Sequence, residues 1–304
     1  MADEWVPSYE HCELCPRRCG VDRTAGQRGF CGMPAGAAAA RAGVHYWEEP
    51  VLSGSGGSGA IFFSGCVLKC RYCQNYAISA EKRGTALSAE DLRLTVGGLL
   101  EQGVQNINLV TPTHFVPDIL TLLAEKPPVP VVYNCGGYER VETLRALEGK
   151  IDIYLPDFKY SDSALAEKLS AAKDYPEVCE TALREMVRQV GKPVIENGEL
   201  IRGVLIRHLV LPGQVDNSLG VIERIAALFP DGEVLVSLMS QYTPMGELAS
   251  VPPYDRKVTQ EEYAAVLSWA ELCGIRSGFV QDSSSAMKEY IPEFDGSGLI
   301  FAEK

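Results

Sequence analysis

Residues 60–73 read Ala-Ile-Phe-Phe-Ser-Gly-Cys-Val-Leu-Lys-Cys-Arg-Tyr-Cys. The apolar run Ala60–Ser64 spells a short strand, and Cys66, Cys70 and Cys73 follow it on one loop. Three thiolates that close in sequence can each hold one iron of a cubane cluster. Such clusters ordinarily take four cysteines, so three leave one iron open to bind and activate a substrate. Spacing alone leaves a competitor, a zinc loop completed by a fourth ligand from elsewhere. The position of the loop, directly after the first strand of a repeating pattern, bears on the choice.

Downstream of the loop the pattern is regular. Ser88 is placed as an N-cap, with Asp91 three residues on in a capping-box position, and predicts a helix to about Gln102 closed by Gly103. Strands are predicted at Asn106–Val110, Val129–Tyr133, Ile151–Leu155, Ile201–Leu211 and Val234–Leu238, with a last short one at Gly278–Gln281. Helices are predicted at Val116–Ala124, Glu139–Leu147, twice between Ser163 and Val190, and at Leu219–Leu228 and Thr259–Cys273. The strands are near-continuous Val/Ile/Leu runs, as in a parallel sheet buried on both faces. Six strand–helix alternations predict an α/β fold: an open, partial (β/α)6 barrel of parallel strands, with its working groups at the C-terminal strand ends. No repeat of fixed period stands out beyond this alternation.

Upstream, residues 53–59 read Ser-Gly-Ser-Gly-Gly-Ser-Gly, a stretch expected to be flexible and to mark a boundary or hinge. The expected organisation is an N-terminal Cys-rich module over 1–54 and a barrel over 55–304. The module holds Cys12, Cys15, Cys19 and Cys31, interleaved with Gly20, Gly26, Gly29 and Gly32. Four neighbouring thiols suit a closed site, either structural zinc or an accessory iron–sulfur cluster. With no ligand position open, its role would be structural or that of an electron relay.

Composition bounds the rest. The chain has 304 residues and a formal net charge of −12, so it has no overall attraction for nucleic acid or anionic lipid. Arg17, Arg18, Arg23 and Arg28 are spread through the cysteine-rich segment and are assigned to local structure. Met1–Glu10 lacks the basic and apolar parts of a signal peptide, and no apolar run approaches the ~18 residues of a membrane span. The expectation is a cytoplasmic, monomeric protein, with no nucleic-acid or membrane partner. In a reducing compartment the chain's ten cysteines point to metal or redox work rather than disulfides. Cys135, Cys179 and Cys273 lie outside the two groups.

The Cys-x3-Cys-x2-Cys spacing, with aromatic Tyr72 before the third cysteine, resembles the radical S-adenosylmethionine (SAM) superfamily. That resemblance implies a [4Fe–4S] cluster on Cys66, Cys70 and Cys73, whose open iron chelates the methionine part of SAM, and a 5′-deoxyadenosyl radical that abstracts hydrogen. It places Tyr72 near the adenine. It also implies cofactor contacts at the other strand ends. Thr111-Pro112-Thr113-His114 stands where glycyl-radical activating enzymes usually carry Gly-Gly-Glu, a departure in which Thr111 and Thr113 offer hydroxyls and backbone groups. Asn134 matches the Thr-Asn-Gly segment of those enzymes, and Pro156-Asp157-Phe158-Lys159 resembles their Asp-Leu-Lys motif, with Asp157 orienting cofactor or substrate and Lys159 offsetting charge. Arg207, in Arg207-His208-Leu209-Val210-Leu211-Pro212-Gly213, is the candidate for the methionine carboxylate, because a guanidinium matches it in fork geometry. His208 is the more ordinary core or rim histidine. Gln241 and Tyr242 are candidates to line a substrate site; Gln281-Asp282 and Tyr290–Asp295 are assigned no role. Together with the N-terminal cysteines, the set resembles the PflX-type branch, proteins similar to pyruvate formate-lyase activating enzymes.

Three functions follow as alternatives. The first is an activating-enzyme-like protein that takes hydrogen from a glycine of a glycyl radical enzyme, with flavodoxin or ferredoxin as electron donor. The second is a radical SAM enzyme acting on a small molecule or peptide. The third is a non-catalytic iron–sulfur or zinc protein that binds a partner or relays electrons.

Overall fold

The structure, a computed structural model, describes residues 5–281 and 292–303. In chain order the elements are β1 (Ala38–His45), α1 (Pro50–Ser53), β2 (Ser58–Phe63), α2 (Tyr76–Ser79), β3 (Thr85–Ala86), α3 (Ala89–Glu101), β4 (Asn106–Val110), α4 (Val116–Leu122), β5 (Val131–Cys135) and α5 (Val141–Ala146). There follow β6 (Ile153–Pro156), α6 (Ser163–Ser170), α7 (Tyr175–Val190), β7 (Val194–Glu196), β8 (Glu199–Leu209), α8 (Val215–Leu228), β9 (Leu235–Met239), α9 (Gln260–Leu272) and β10 (Gly278–Val280).

The strands form one sheet in the order β10-β9-β8-β6-β5-β4-β2-β1-β3, with β7 paired to β8 at its side. From β2 to β10 every neighbour along this order is parallel, and the sheet ends at β10 and β3 without closing. This is the open partial barrel expected from the alternation. Strands β2, β4, β5, β6 and β9 are buried at every position, which is why all but β4, with Asn106 and Asn108, lack polar alternation. Each Val or Leu fully buried in them contributes about 1.5–3 kcal/mol. The capping boxes are present as well: Ser88 accepts from the Asp91 amide, and Thr259 from that of Glu262.

Two features differ from expectation. Ala38–His45 is an antiparallel strand on the β2 edge, so the N-terminal segment continues the barrel sheet. Its alanines carry little strand propensity, and it is pairing with β2 that makes it a strand. The Ser-Gly stretch is not a loose hinge. Ser53 ends α1, the Gly57 amide bonds to the Ser53 carbonyl (2.7 Å), and Ser58 already pairs with His45 and Asn106. The α1 turn plugs the barrel floor: Leu52 packs with Val132, Ile153, Leu205 and Leu235, and Asn106 Nδ2 donates to the Leu52 carbonyl (2.7 Å).

Register fixes what the other end presents. Phe62, Val110, Asn134 and Leu155 lie level across four strands, and Asp157 bridges to Arg207 just beyond. The tail crosses the β1 edge, where the Gly296 amide bonds to the Ala40 carbonyl (2.8 Å) and Phe294 meets Phe62 edge-on. No helix among the described residues is long and apolar enough to cross a membrane.

Candidate functional site

The loop between β2 and α2 carries the triad. Gly65 turns the chain at φ +81°, where an added Cβ would press on Met33 and the His114 ring. Lys69 also takes a left-handed backbone, φ +52°. The turn aims Cys66, Cys70 and Cys73 into a cavity of ≈170 Å³. All seven residues expected to contact the cofactor line the same cavity: Tyr72 on the loop itself, and Thr111, Thr113, Asn134, Asp157, Lys159 and Arg207 at or just past the strand ends. A second lobe of ≈320 Å³ adjoins it, sharing Asn134, Arg207 and Gln241 and reaching out to His45, Trp47 and Gln281.

The donor set fits a cluster with an open position. The sulfurs are met by hydrogen-bond donors: the Leu68 amide on Cys66 (3.3 Å) and the Ser170 hydroxyl on Cys70 (3.0 Å). Ser170 Oγ lies 2.6 Å from the Tyr160 hydroxyl, which donates to Tyr72 Oη (2.9 Å), so one buried chain of hydroxyls ties the aromatic residue to the thiol. Among the described residues no three His, Cys, Asp or Glu side chains converge at the spacing of a single metal ion. A cubane distributes its thiolates over separate irons and does not require that convergence. The room left for a cofactor is the rest of this cavity together with the adjoining lobe.

The opposite wall is a balanced charge network. Arg207 donates from Nε to Asp157 (3.1 Å), from Nη1 to Glu48 (3.1 Å) and from Nη2 to Asn134 Oδ1 (2.7 Å). Lys159 Nζ pairs with the other Asp157 oxygen. Burial pushes the Asp157 carboxyl up, but Lys159 and Arg207 outweigh it and hold the acid below the usual carboxylate range. Arg207 therefore lines the cavity as expected, yet its guanidinium is already committed to two carboxylates and an amide. Its geometry organises Asp157 and Asn134 rather than standing free for a methionine carboxylate.

Thr111 and Thr113 also behave differently from a simple pair of hydroxyls. Thr111 is a β-branched residue at φ +62°, a strained conformation pinned by its amide bond to the Asn134 carbonyl (2.8 Å). Thr113 is buried and its hydroxyl donates to Glu139 (2.8 Å), which also accepts from Tyr133 (3.0 Å). Burial raises the Glu139 carboxyl to about 7 against the pull of these hydrogen bonds. His208 faces away from the cavity, between the Phe158 carbonyl and Ser218, and is the ordinary core histidine expected. Gln241 and Tyr242 reach the cavity rim, with Gln281 donating to Gln241 (3.1 Å). Pro292 lines the outer lobe; Asp282, Tyr290 and Ile291 lie outside the described residues.

Sequence reasoning missed Glu48 and Glu139. Glu48 precedes the floor helix α1, and Asn108 Nδ2 also donates to it (3.0 Å). Nothing in its sequence setting, Tyr46-Trp47-Glu48-Glu49-Pro50, signals that the segment enters the barrel. The remaining predicted site residues, Cys12, Cys15, Cys19 and Cys31, sit apart from the cavity, in the segment that leads into β1; all ten cysteines are free.

A family model described as the Radical SAM superfamily matches residues 60–225. An uncharacterised protein of Methanocaldococcus jannaschii is 30% identical over 275 residues, covering 86% of this chain and 75% of that protein. Among solved structures, methylornithine synthase is similar with a TM-score of 0.49 and 14% identity, over 71% of this chain and 68% of that one. HydG, a maturase of the [FeFe]-hydrogenase, gives a TM-score of 0.47 and 19% identity over 71% of this chain and 49% of that one.

Proposed function

The chain belongs to the radical SAM superfamily, and from that premise we propose that it cleaves SAM reductively at a [4Fe–4S] cluster held by Cys66, Cys70 and Cys73, and that the resulting radical takes hydrogen from a glycine of a partner protein. The cluster would supply one electron, giving methionine and the 5′-deoxyadenosyl radical; hydrogen transfer then gives 5′-deoxyadenosine and a substrate radical. A low-potential donor such as flavodoxin or ferredoxin provides the electron.

The observation that carries the reading is the single cavity in which the triad faces Tyr72, Asn134, Asp157 and Lys159. In it Tyr72 offers a buried ring for the adenine, while Asp157 and Asn134 offer acceptors for the ribose and amino groups, fixed in place by Arg207. Lys159 offsets negative charge between Asp157 and the thiolates of Cys70 and Cys73. Pairing these groups before the cofactor arrives limits the reorganisation needed on binding.

The outer lobe supports a second reading, a small molecule or peptide segment as substrate. Its walls are mostly neutral and hydrogen-bonding: Gln74, Asn75, Gln241, Thr243 and Gln281 beside the Glu48–Arg207 pair. The test begins with anaerobic reconstitution, SAM and dithionite. The radical reading predicts 5′-deoxyadenosine, lost in Cys70→Ala; a non-catalytic protein makes none. Incubation with a glycyl radical enzyme then separates the first two readings. A glycine-centred radical signal supports activation, whereas 5′-deoxyadenosine formed without such a signal supports the second.

A further inference from the structure

Arg23 is a fully buried cation with no carboxylate of its own. It is 1% exposed. Its guanidinium donates to the Pro34 carbonyl (Nε 3.1 Å, Nη2 2.6 Å) and to the His114 carbonyl (Nη1 2.6 Å), and lies under the Tyr9 ring at 4.4 Å. Among the described residues no acidic oxygen comes within ion-pair distance. The acid nearby, Asp118, accepts from the Tyr9 hydroxyl, and its charge and that of Arg23 act on each other only from beyond ion-pair distance. What Nη1 does approach is Cys12 Sγ, at 3.8 Å. An unpaired ion buried in protein is costly, and carbonyl dipoles alone do not neutralise it.

The sulfurs around it are arranged as acceptors. Cys12, Cys15 and Cys31 are buried. The Phe30 amide donates to Cys19 Sγ at 3.3 Å, and the Arg17 and Met33 amides donate to Cys15 and Cys31. An amide two residues on bonding back to a cysteine is also the geometry of Leu68 on Cys66 in the triad. Gly29 is a glycine by necessity, since an added Cβ would lie 2.7 Å from Cys19 Sγ. Four protonated thiols would leave Arg23 facing only the more distant charge of Asp118. Four thiolates around an oxidised cubane carry a double negative charge. A cubane, unlike a single zinc ion, does not require the sulfurs to converge on one point, and among the described residues no such group does.

We propose that Cys12, Cys15, Cys19 and Cys31 hold a second metal centre, closed by four thiolates, whose negative charge balances the buried Arg23 and which fastens the triad loop to the barrel. Transfer of an intact oxidised cubane onto the four cysteines displaces four thiol protons to solvent, and no electron is exchanged. The fastening runs through two arginines. Arg17 donates to the Val67 carbonyl inside the triad loop (3.0 Å) and to the Ser170 carbonyl (3.0 Å), with its guanidinium 3.9 Å from the centre of the Phe30 ring. The Lys69 ammonium, also on the triad loop, lies 4.9 Å from the same ring. Arg23, through the His114 carbonyl, fixes the loop that presents Thr113.

The inference does not rest on SAM chemistry, and its test leaves that out. The full-length Cys66→Ala/Cys70→Ala/Cys73→Ala variant is reconstituted anaerobically, and zinc, iron and sulfide are counted per chain. About four irons with sulfide are expected, and one zinc in their place would overturn the cubane. A variant with a wild-type circular dichroism spectrum and no bound metal overturns the proposal. Adding Cys31→Ser should remove the metal; its retention overturns the ligand assignment. Arg23→Met should weaken retention against a chelator at least about tenfold; unchanged retention with an unchanged spectrum overturns the charge balance.

Discussion

Two groups of cysteines solve the same electrostatic problem in opposite ways. Cys66, Cys70 and Cys73 open onto a cavity whose far wall is a neutral network of two acids and two bases, Glu48, Asp157, Lys159 and Arg207. Cys12, Cys15, Cys19 and Cys31 lie outside that cavity and have a buried cation, Arg23, against Cys12. The number of thiols follows the surroundings. Loaded as proposed, three thiolates would leave a coordination site facing the cavity, and four would leave none. Both groups receive backbone N–H bonds, so that feature does not separate a reactive centre from a closed one. What separates them is the space in front of the sulfurs and whether the charges opposite are already paired.

The largest effect should come from removing a ligand on the open side. Cys70→Ala is expected to abolish 5′-deoxyadenosine formation while leaving the metal content of the N-terminal group unchanged. Product formation by a clean Cys70→Ala preparation would break the contrast at its strongest point.

On the closed side the expected loss is stability. Cys12→Ser with Cys31→Ser leaves Arg23 without an anion, and stripping one partner from a buried pair costs about 3–5 kcal/mol. In a protein of this size that is roughly 5–8 °C in melting temperature. Differential scanning calorimetry of the anaerobic protein checks it. A melting curve superimposable on wild type would put both groups on the same footing.

The open side was much easier to read in the sequence than the closed one. The triad, Asn134, Asp157 and Lys159 follow directly from strands that are continuous apolar runs, so counting to the end of each run locates the site. Glu48 and Glu139 could not be found that way. Glu48 acts from a segment whose entry into the barrel floor depends on Leu52 packing among four strands, and Glu139 lies four residues past the end of β5 in what reads as the start of a helix. The alanine-rich β1 and the Ser-Gly turn failed for the same reason. Their conformations are imposed by the β2 edge and by Asn106, which are tertiary partners, and local propensity carries no trace of them.

Glu139 sharpens the comparison in the pH dimension. It supports Thr113 on the wall of the open cavity, and burial raises it to about 7 from an ordinary value of 4.5. A carboxyl whose folded value is raised contributes stability that is fully present below about pH 4.5 and is lost as pH rises through about 7. The shift corresponds to about 3 kcal/mol between those limits. Glu139→Gln copies the neutral form, so it should flatten this part of the stability profile between pH 5 and 8 in urea titrations. A variant whose midpoint falls with pH as steeply as wild type would remove Glu139 as the source.

The smallest effect tests whether the open group is tuned by side chains where the closed group relies on backbone. Ser170 is the hydroxyl donor on Cys70, and it is linked through Tyr160 to Tyr72. Hydrogen bonds to cluster sulfurs help to set reduction potential, because they stabilise the more negative, reduced state. Ser170→Ala should therefore lower the potential and slow SAM cleavage by about tenfold with a protein donor, in the range seen when such outer contacts are lost. With excess dithionite at higher pH, a stronger reductant, the rate should largely recover. Equal slowing under both conditions would mean that Ser170 positions the loop rather than tunes the electron. In that case the open and closed groups would differ only in the space they face.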